Sequence, residues 1–409
     1  MSDLASRVPG GICARCFGRI FARLGSGFSN DVRGNLAIFA YSVLGRQVSL
    51  PESDNSCRIC RGLFGRLGSY ATAVCGELSK FEYSTFLLGS TFDESTLEFE
   101  KELQDSFGGL GESIKKEFNR ECGKIVSSIT GKPAEFSRPD LTINVDLRYD
   151  AIKVKSASVC ISGCYRKFRR DLPQTRWIQM DKPGDSVEEI IGEPLKAMLD
   201  SGNFFLHGAG REDVDVRMLG NGRKFIIEAY EPRRRMPDTK KLESDVNGSG
   251  KGVEIFGLSV CDCSAVKDLK GENHNKTYVA RISFDSPVDS GALASAVSAL
   301  TGKVIYQRTP LRVSSRRSDL VRERKIINLE LLNADQNGAV VRVTAQAGTY
   351  IKEFLNGDGG RTAPSLSSQC SIGIRVVELD VMEIHRGENN DENVTRAKIR
   401  LENEADQEN

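Results

Sequence analysis

Two pairs of cysteines, Cys13 with Cys16 and Cys57 with Cys60, constrain the fold of this chain more than any other feature. A two-residue spacer lets both thiolates of a pair face one ion, and tetrahedral Zn²⁺ takes four such ligands. If all four serve one ion, the chain between the pairs must close on itself, and the segment from Phe28 to Val48 must bulge out of the knuckle. Eleven cysteines are an odd count, irregularly spaced in a chain of 409 residues. That argues against a secreted disulfide framework and for thiols plus one metal site. Structural zinc on Cys13, Cys16, Cys57 and Cys60 is the expected use, with redox or unpaired thiols as the alternative.

Beyond the knuckle the hydrophobic pattern changes period. Ile114, Phe118, Cys122 and Ile125 recur at helical spacing, with Lys115, Lys116 and Arg120 between them. Leu141, Ile143, Val145 and Leu147 then alternate, as do Ile152 and Val154 with Lys153 and Lys155, which describes a half-buried sheet with a partly basic face. Further on, Ser186 to Ser201 reads as a helix limited or kinked by Pro194, and the polar, glycine-rich run from Pro237 to Gly252 reads as a surface loop. Strands are expected at Lys276–Phe284, Lys325–Leu332, Ala339–Ala345 and Ile372–Val381, with a helix near Leu293–Leu300. Mainly antiparallel strands with few helices define an α+β class. The expected boundaries are 1–70 for the zinc module, 71–164 for an α+β RNA-binding module, 165–386 for a catalytic domain and 387–409 for a polar acidic tail.

A net charge of +1 excludes a globally cationic body, so nucleic-acid affinity must come from local clusters. One lies at Tyr165–Trp177, where Arg166, Lys167, Arg169 and Arg170 stand among aromatics. A second runs from Lys303 to Lys325 and includes Arg308, Arg312, Arg316 and Arg317. Cations beside rings suit phosphates and unstacked bases; a charged linker is the alternative for the first cluster and a solvated face for the second, where phosphate contact is the expected use. No run of about 18 uncharged apolar residues and no secretory h-region occurs, which leads us to expect a cytoplasmic protein with no membrane partner. His207, His274 and His385 are too scattered for a metal triad.

Two strings carry chemistry. GREDVDVRMLG at Gly210–Gly220 offers Asp213 on a glycine-bounded loop beside Arg211, and GTYIKEF at Gly348–Phe354 offers Tyr350 two residues from Lys352. A carboxylate can act as a nucleophile, but burial favours its neutral form unless a cation stands by. Asp215 is a rival in the same loop, and strand alternation would put both aspartates on one side.

The Gly210–Asp213 string resembles the catalytic loop of tRNA pseudouridine synthases, and the run through Gly220 to Phe225 is similar to the archaeal form of the Pus-ten family. Lys276–Tyr278, Gly348–Lys352 and Tyr306–Asp319 resemble that family's base-packing strand, its later strand and its RNA-gripping thumb; Lys224 and Ser315 depart from its pattern. The resemblance implies a zinc knuckle, a THUMP-like module and a pseudouridine synthase domain. It also implies an isomerase that converts uridines 54 and 55 in the TΨC arm of tRNA. Asp213 would be the nucleophile, Lys352 with Arg211 its charge partners, and Tyr278, Tyr350, Ile351 and Lys276 the substrate contacts. No nucleotide cofactor is expected, zinc is structural, and the chain is expected to act as a monomer on tRNA. A non-catalytic tRNA-binding adaptor, or another THUMP-linked tRNA-modifying enzyme, is the alternative.

Overall fold

The computed structural model describes residues 10–25, 27–45, 48–176, 185–315 and 317–386. Trp177, Arg316 and the expected tail from Gly387 lie outside them. The chain divides into two units, the first comprising residues 1–157 with 231–235, the second residues 158–230 with 236–409.

In the first unit, helices α1 (Ala14–Arg19), α2 (Asn30–Val43) and α3 (Leu67–Leu78) precede strand β1 (Phe86–Thr91). Helices α4 (Glu94–Ser106) and α5 (Ile114–Thr130) then lead to strands β2 (Leu141–Asp146) and β3 (Ala151–Ser156). The sheet order is β1-β2-β3, the first pair parallel and the second antiparallel. Helix α5 begins where the Ser113 hydroxyl accepts from Lys116 N, and it buries Ile114, Phe118, Cys122 and Val126 on one face. Most of the Phe28–Val48 segment that was expected to leave the knuckle is α2, packed on α1. A Cβ on Gly18 would sit 2.0 Å from Asn30 O, and one on Gly34 would sit 1.8 Å from Ala14 O, so only glycine permits this crossing. The four cysteines share one apolar cluster with Phe17, Phe118, Leu141 and Ile143. Knuckle and sheet thus have a common core.

The second unit is built on a ten-stranded sheet. Its elements are β4 (Val159–Lys167), α6 (Val187–Leu199), β5 (Asn203–Gly208), β6 (Val216–Tyr230), α7 (Thr239–Asn247), β7 (Val253–Cys261), α8 (Ala265–Gly271) and β8 (Lys276–Phe284). They continue with α9 (Ser290–Leu300), β9 (Val304–Arg308), β10 (Val321–Ala334), β11 (Gly338–Ala345), α10 (Ile351–Asn356), β12 (Thr362–Ala363), α11 (Leu366–Cys370) and β13 (Ile374–Ile384). The strand order is β12-β9-β10-β11-β8-β13-β6-β4-β7, with β5 beside β6, and only β13 and β6 run parallel. The fold is α+β. β4 pairs with β6 and β7, so the segment from Val159 belongs with this sheet.

Three local readings are corrected. The Pro237–Gly252 run contains α7, because Asp238 caps Lys241 N and Leu242 and Val246, one helical turn apart, pack into the core. The Gly348–Lys352 segment is not a strand, since β11 ends at Ala345 and the chain turns into α10 at Ile351. Not all cysteines outside the knuckle are free thiols: Cys160 and Cys263 form a disulfide. Among the described residues no helix is long and apolar enough to cross a membrane.

Candidate active site

The order β11-β8-β13-β6 explains how distant segments meet. Asp213 lies on the turn entering β6, Tyr278 lies on β8 opposite Val381 of β13 and Val343 of β11, and Lys352 lies in the first turn of α10, which follows β11.

A buried network shapes the loop that carries Asp213. Both carboxylate oxygens of Glu212, itself 1% exposed at the side chain, accept from the Tyr165 hydroxyl at 2.8 and 2.9 Å, and Oε2 also accepts from Arg223 Nε at 2.8 Å. Arg223 donates to Ala209 O at 2.7 Å, and Gln174 donates to Tyr165 and to Gly210 O. Gly210 has φ +84°, and a Cβ there would press to 2.9 Å from Arg223, so the loop needs glycine at that point. Lys167 is fully buried and donates to the carbonyls of Leu172, Asp213 and Val214 at 2.7, 3.1 and 3.1 Å. Lys167 therefore points inward, below the loop, instead of outward to a phosphate. The reason is β4 alternation, which turns Tyr165 and Lys167 to the same inner face.

Above this floor lie the charges. Lys352 Nζ stands 2.8 and 2.7 Å from the two oxygens of Asp215 and 3.4 Å from Asp213 Oδ2. Burial alone would push the Asp215 carboxyl up, but the hydrogen bond and charge of Lys352, with smaller help from a backbone N–H and Arg312, together hold it below the ordinary range. Arg312 donates from its terminal nitrogen to Asp213 at 2.9 Å and from Nε to Glu353 at 2.6 Å. Tyr278 is half-buried, its phenol pushed up to about 12 by burial, with the charge of Asp213 adding to the shift. Lys276 donates to His274 O at 2.9 Å, and burial, then the charge of Arg223, push its ammonium down to about 8.

Other expected contacts are placed differently. Arg211 is exposed and enters no ion pair among the described residues. Tyr350 is half-buried at the head of α10, its backbone clasped on both sides by the Gln307 side chain at 2.9 Å. Ile351 is 4% exposed and belongs to the core. Arg308 pairs with Asp319, Arg166 with Glu254, Arg169 with Asp171 and Arg170 with Asp380, while Arg317 is exposed. The contribution of Glu353, Glu212 and Arg223 was not read from sequence; the spacing of Glu212 next to Asp213 was the available signal.

In the first unit the four thiols lie within 4.8 Å of one another and are all buried. Sγ of Cys13 is 3.6 Å from that of Cys60, and Sγ of Cys57 is 3.6 Å from that of Cys16. A zinc tetrahedron with 2.3 Å bonds has edges of about 3.8 Å, so the set fits. Cys13 N donates to Cys57 Sγ, and Arg19, fully buried and paired with Glu100 and Glu117, donates to Cys16 Sγ. Such donors temper the excess negative charge of four thiolates.

The family model described as "Pus10, C-terminal" matches residues 160–385, and that described as "Pus10 THUMP domain, archaeal" matches residues 70–146. A relative named tRNA pseudouridine synthase Pus10, from Thermoplasma acidophilum, is 48% identical over 92% of this chain and 97% of its own. Its namesake from Picrophilus torridus is 45% identical over 94% of this chain and 99% of its own. A third, from Thermofilum pendens, is 36% identical over 91% and 92%. A solved Cbf5-Nop10-Gar1 complex aligns at TM-score 0.33 and 18% identity, covering 54% of this chain and 48% of that one. The chain belongs to the Pus10 family of tRNA pseudouridine synthases and is an isomerase.

Proposed function

We propose that the chain converts uridines 54 and 55 of the TΨC arm of tRNA to pseudouridine, with Asp213 as the nucleophile. In the net reaction the C1′–N1 bond breaks, the uracil turns, and C1′ bonds to C5; C5 gives up its proton and N1 gains one. No redox change occurs. The observation that carries this reading is the convergence of Asp213, Lys352 and Tyr278 from three separate segments onto one sheet end. The target base must leave its stack. In our reading Tyr278 packs on the flipped uracil, while Lys352 balances the carboxylate and Lys276 meets the displaced backbone. Tyr350 borders the base, and Ile351 supports this wall from the core. Arg317 and Arg316 grip phosphates, with Arg308, Arg166, Arg169 and Arg170 at the margin. Zinc on Cys13, Cys16, Cys57 and Cys60 would tie the knuckle together and take no part in the chemistry.

The test maps pseudouridine by carbodiimide-dependent reverse-transcription stops on a tRNA transcript. Asp213→Asn abolishes new stops at both positions while tRNA binding persists, and Asp215→Asn keeps measurable turnover. Stops formed by Asp213→Asn, or their loss only in Asp215→Asn, would sink the assignment.

A further inference from the structure

Cations around a carboxylate differ in what holds them in place. Lys352 gives its two shortest bonds to Asp215 and reaches Asp213 only at 3.4 Å. Arg312 comes nearer, at 2.9 Å from Asp213. It sits in a short turn, Leu311–Val313, between β9 and β10, within the basic segment that would grip RNA. Its surroundings argue for a different duty.

Arg312 Nε donates to Glu353 Oε1 at 2.6 Å, and the Glu353 side chain is only 4% exposed. Glu353 Oε2 has no hydrogen-bond partner, and among the described residues Arg312 is the one cation paired with this carboxylate. Swinging Arg312 out to a phosphate would strand a buried charge, which costs its desolvation penalty, whereas an exposed phosphate contact returns little. The turn is tethered as well, Leu311 N donating to Asp358 at 3.2 Å. A planar guanidinium can address two carboxylates from different edges at once, which an ammonium cannot do in the same geometry.

We propose that Arg312 is a catalytic residue, a second cation that aims Asp213 and shares with Lys352 the balancing of its charge, and that Glu353 is the positioning residue that holds Arg312 in place. This rests on Asp213 being the nucleophile. The basic segment then has two jobs: outer arginines such as Arg317 hold RNA, while Arg312 faces inward as part of the reacting centre. Adjacent positions on α10 serve it, with Lys352 turned to the aspartates and Glu353 turned to the core.

The experiment measures single-turnover isomerisation at saturating tRNA, together with tRNA affinity and its salt dependence, on full-length variants. Arg312→Ala is expected to slow the rate about 100-fold, in the range of removing one preorganised charge partner. Its tRNA affinity should change less than about threefold and its salt slope should match that of the unaltered chain, whereas a lost phosphate contact would reduce it. Arg312→Lys should not restore the rate. Glu353→Gln should slow it about tenfold with binding intact. The double variant Arg312→Ala/Glu353→Gln, which leaves no stranded carboxylate, should fold and remain slow. A normal saturated rate with weakened, less salt-dependent binding in Arg312→Ala would overturn the proposal, as would recovery of rate in the double variant. If Asp213→Asn is inactive while Arg312→Ala is fully active, this inference alone fails; if Asp213→Asn is active, the nucleophile reading fails first.

Discussion

Glu212→Gln tests whether the loop carrying Asp213 owes its shape to a desolvated ion pair. Both partners of the Glu212–Arg223 pair are 1% exposed at the side chain, and the carboxylate also accepts twice from Tyr165. Burial alone would push the Arg223 guanidinium down, and the charge and hydrogen bond of Glu212, together with Tyr165 and Tyr278, reverse this. Removing the carboxylate charge leaves a buried guanidinium with Ala209 O and no acid, a loss of about 3–5 kcal/mol for breaking such a pair. In a unit of this size that lowers the melting temperature by on the order of 10 °C. The assay is calorimetric unfolding of the full chain, following the transition of the second unit. Arg223→Met added to Glu212→Gln should recover most of the loss, because neither charge is then stranded. A loss below about 1 kcal/mol would put the pair in the class of exposed ion pairs and refute the reasoning.

Two further outcomes follow from the remaining charges and thiols. The chain should carry about one zinc by elemental analysis, lost in Cys13→Ser and Cys57→Ser with unfolding of the first unit; a zinc-free chain with an unchanged transition would count against the metal. Lys276 sits at about 8 in the folded chain against an ordinary 10.5. Between those values the unfolded chain binds the extra proton, so stability should rise with pH across that window, by at most about 3 kcal/mol. Lys276→Met should flatten the rise in denaturant titrations; an unchanged slope would contradict it.

Much of this was legible from residue order alone. The face of α5, the strands β2 and β3 and the cysteine pairs follow from periodicity or spacing; a lysine beside the Asp213 loop was what the resemblance implied, and Lys352 lies there with its shortest bonds to Asp215. What escaped depends on contacts between distant segments. Glu353 looks like an ordinary polar helix residue, and its burial is set by Arg312 across the fold. Lys167 looks like one more cation in a basic run, yet the alternation Tyr165–Lys167 already hinted that both face inward. The turn into α10 was hidden because Gly348 and Thr349 fit a strand end as well as a helix entry. α7 was missed because lysines and glycines around it mask the Leu242–Val246 pair.

The five residues Glu231–Arg235 leave the second unit, join the first, and the chain then goes back. Within the first unit Glu82 N donates to Arg233 O at 2.7 Å, and Arg235 pairs with Asp140 at 3.1 Å and donates to Ala157 O at 2.6 Å. A fragment ending at Ala157 therefore lacks the clasp on its own sheet. A fragment starting at Ser158 keeps that clasp but has nothing for it to close on. A single cut between Ala157 and Ser158 therefore parts Glu231–Arg235 from the atoms of Glu82, Asp140 and Ala157 that they bond. The boundary between the units is thus a boundary in space that no one position in the sequence marks.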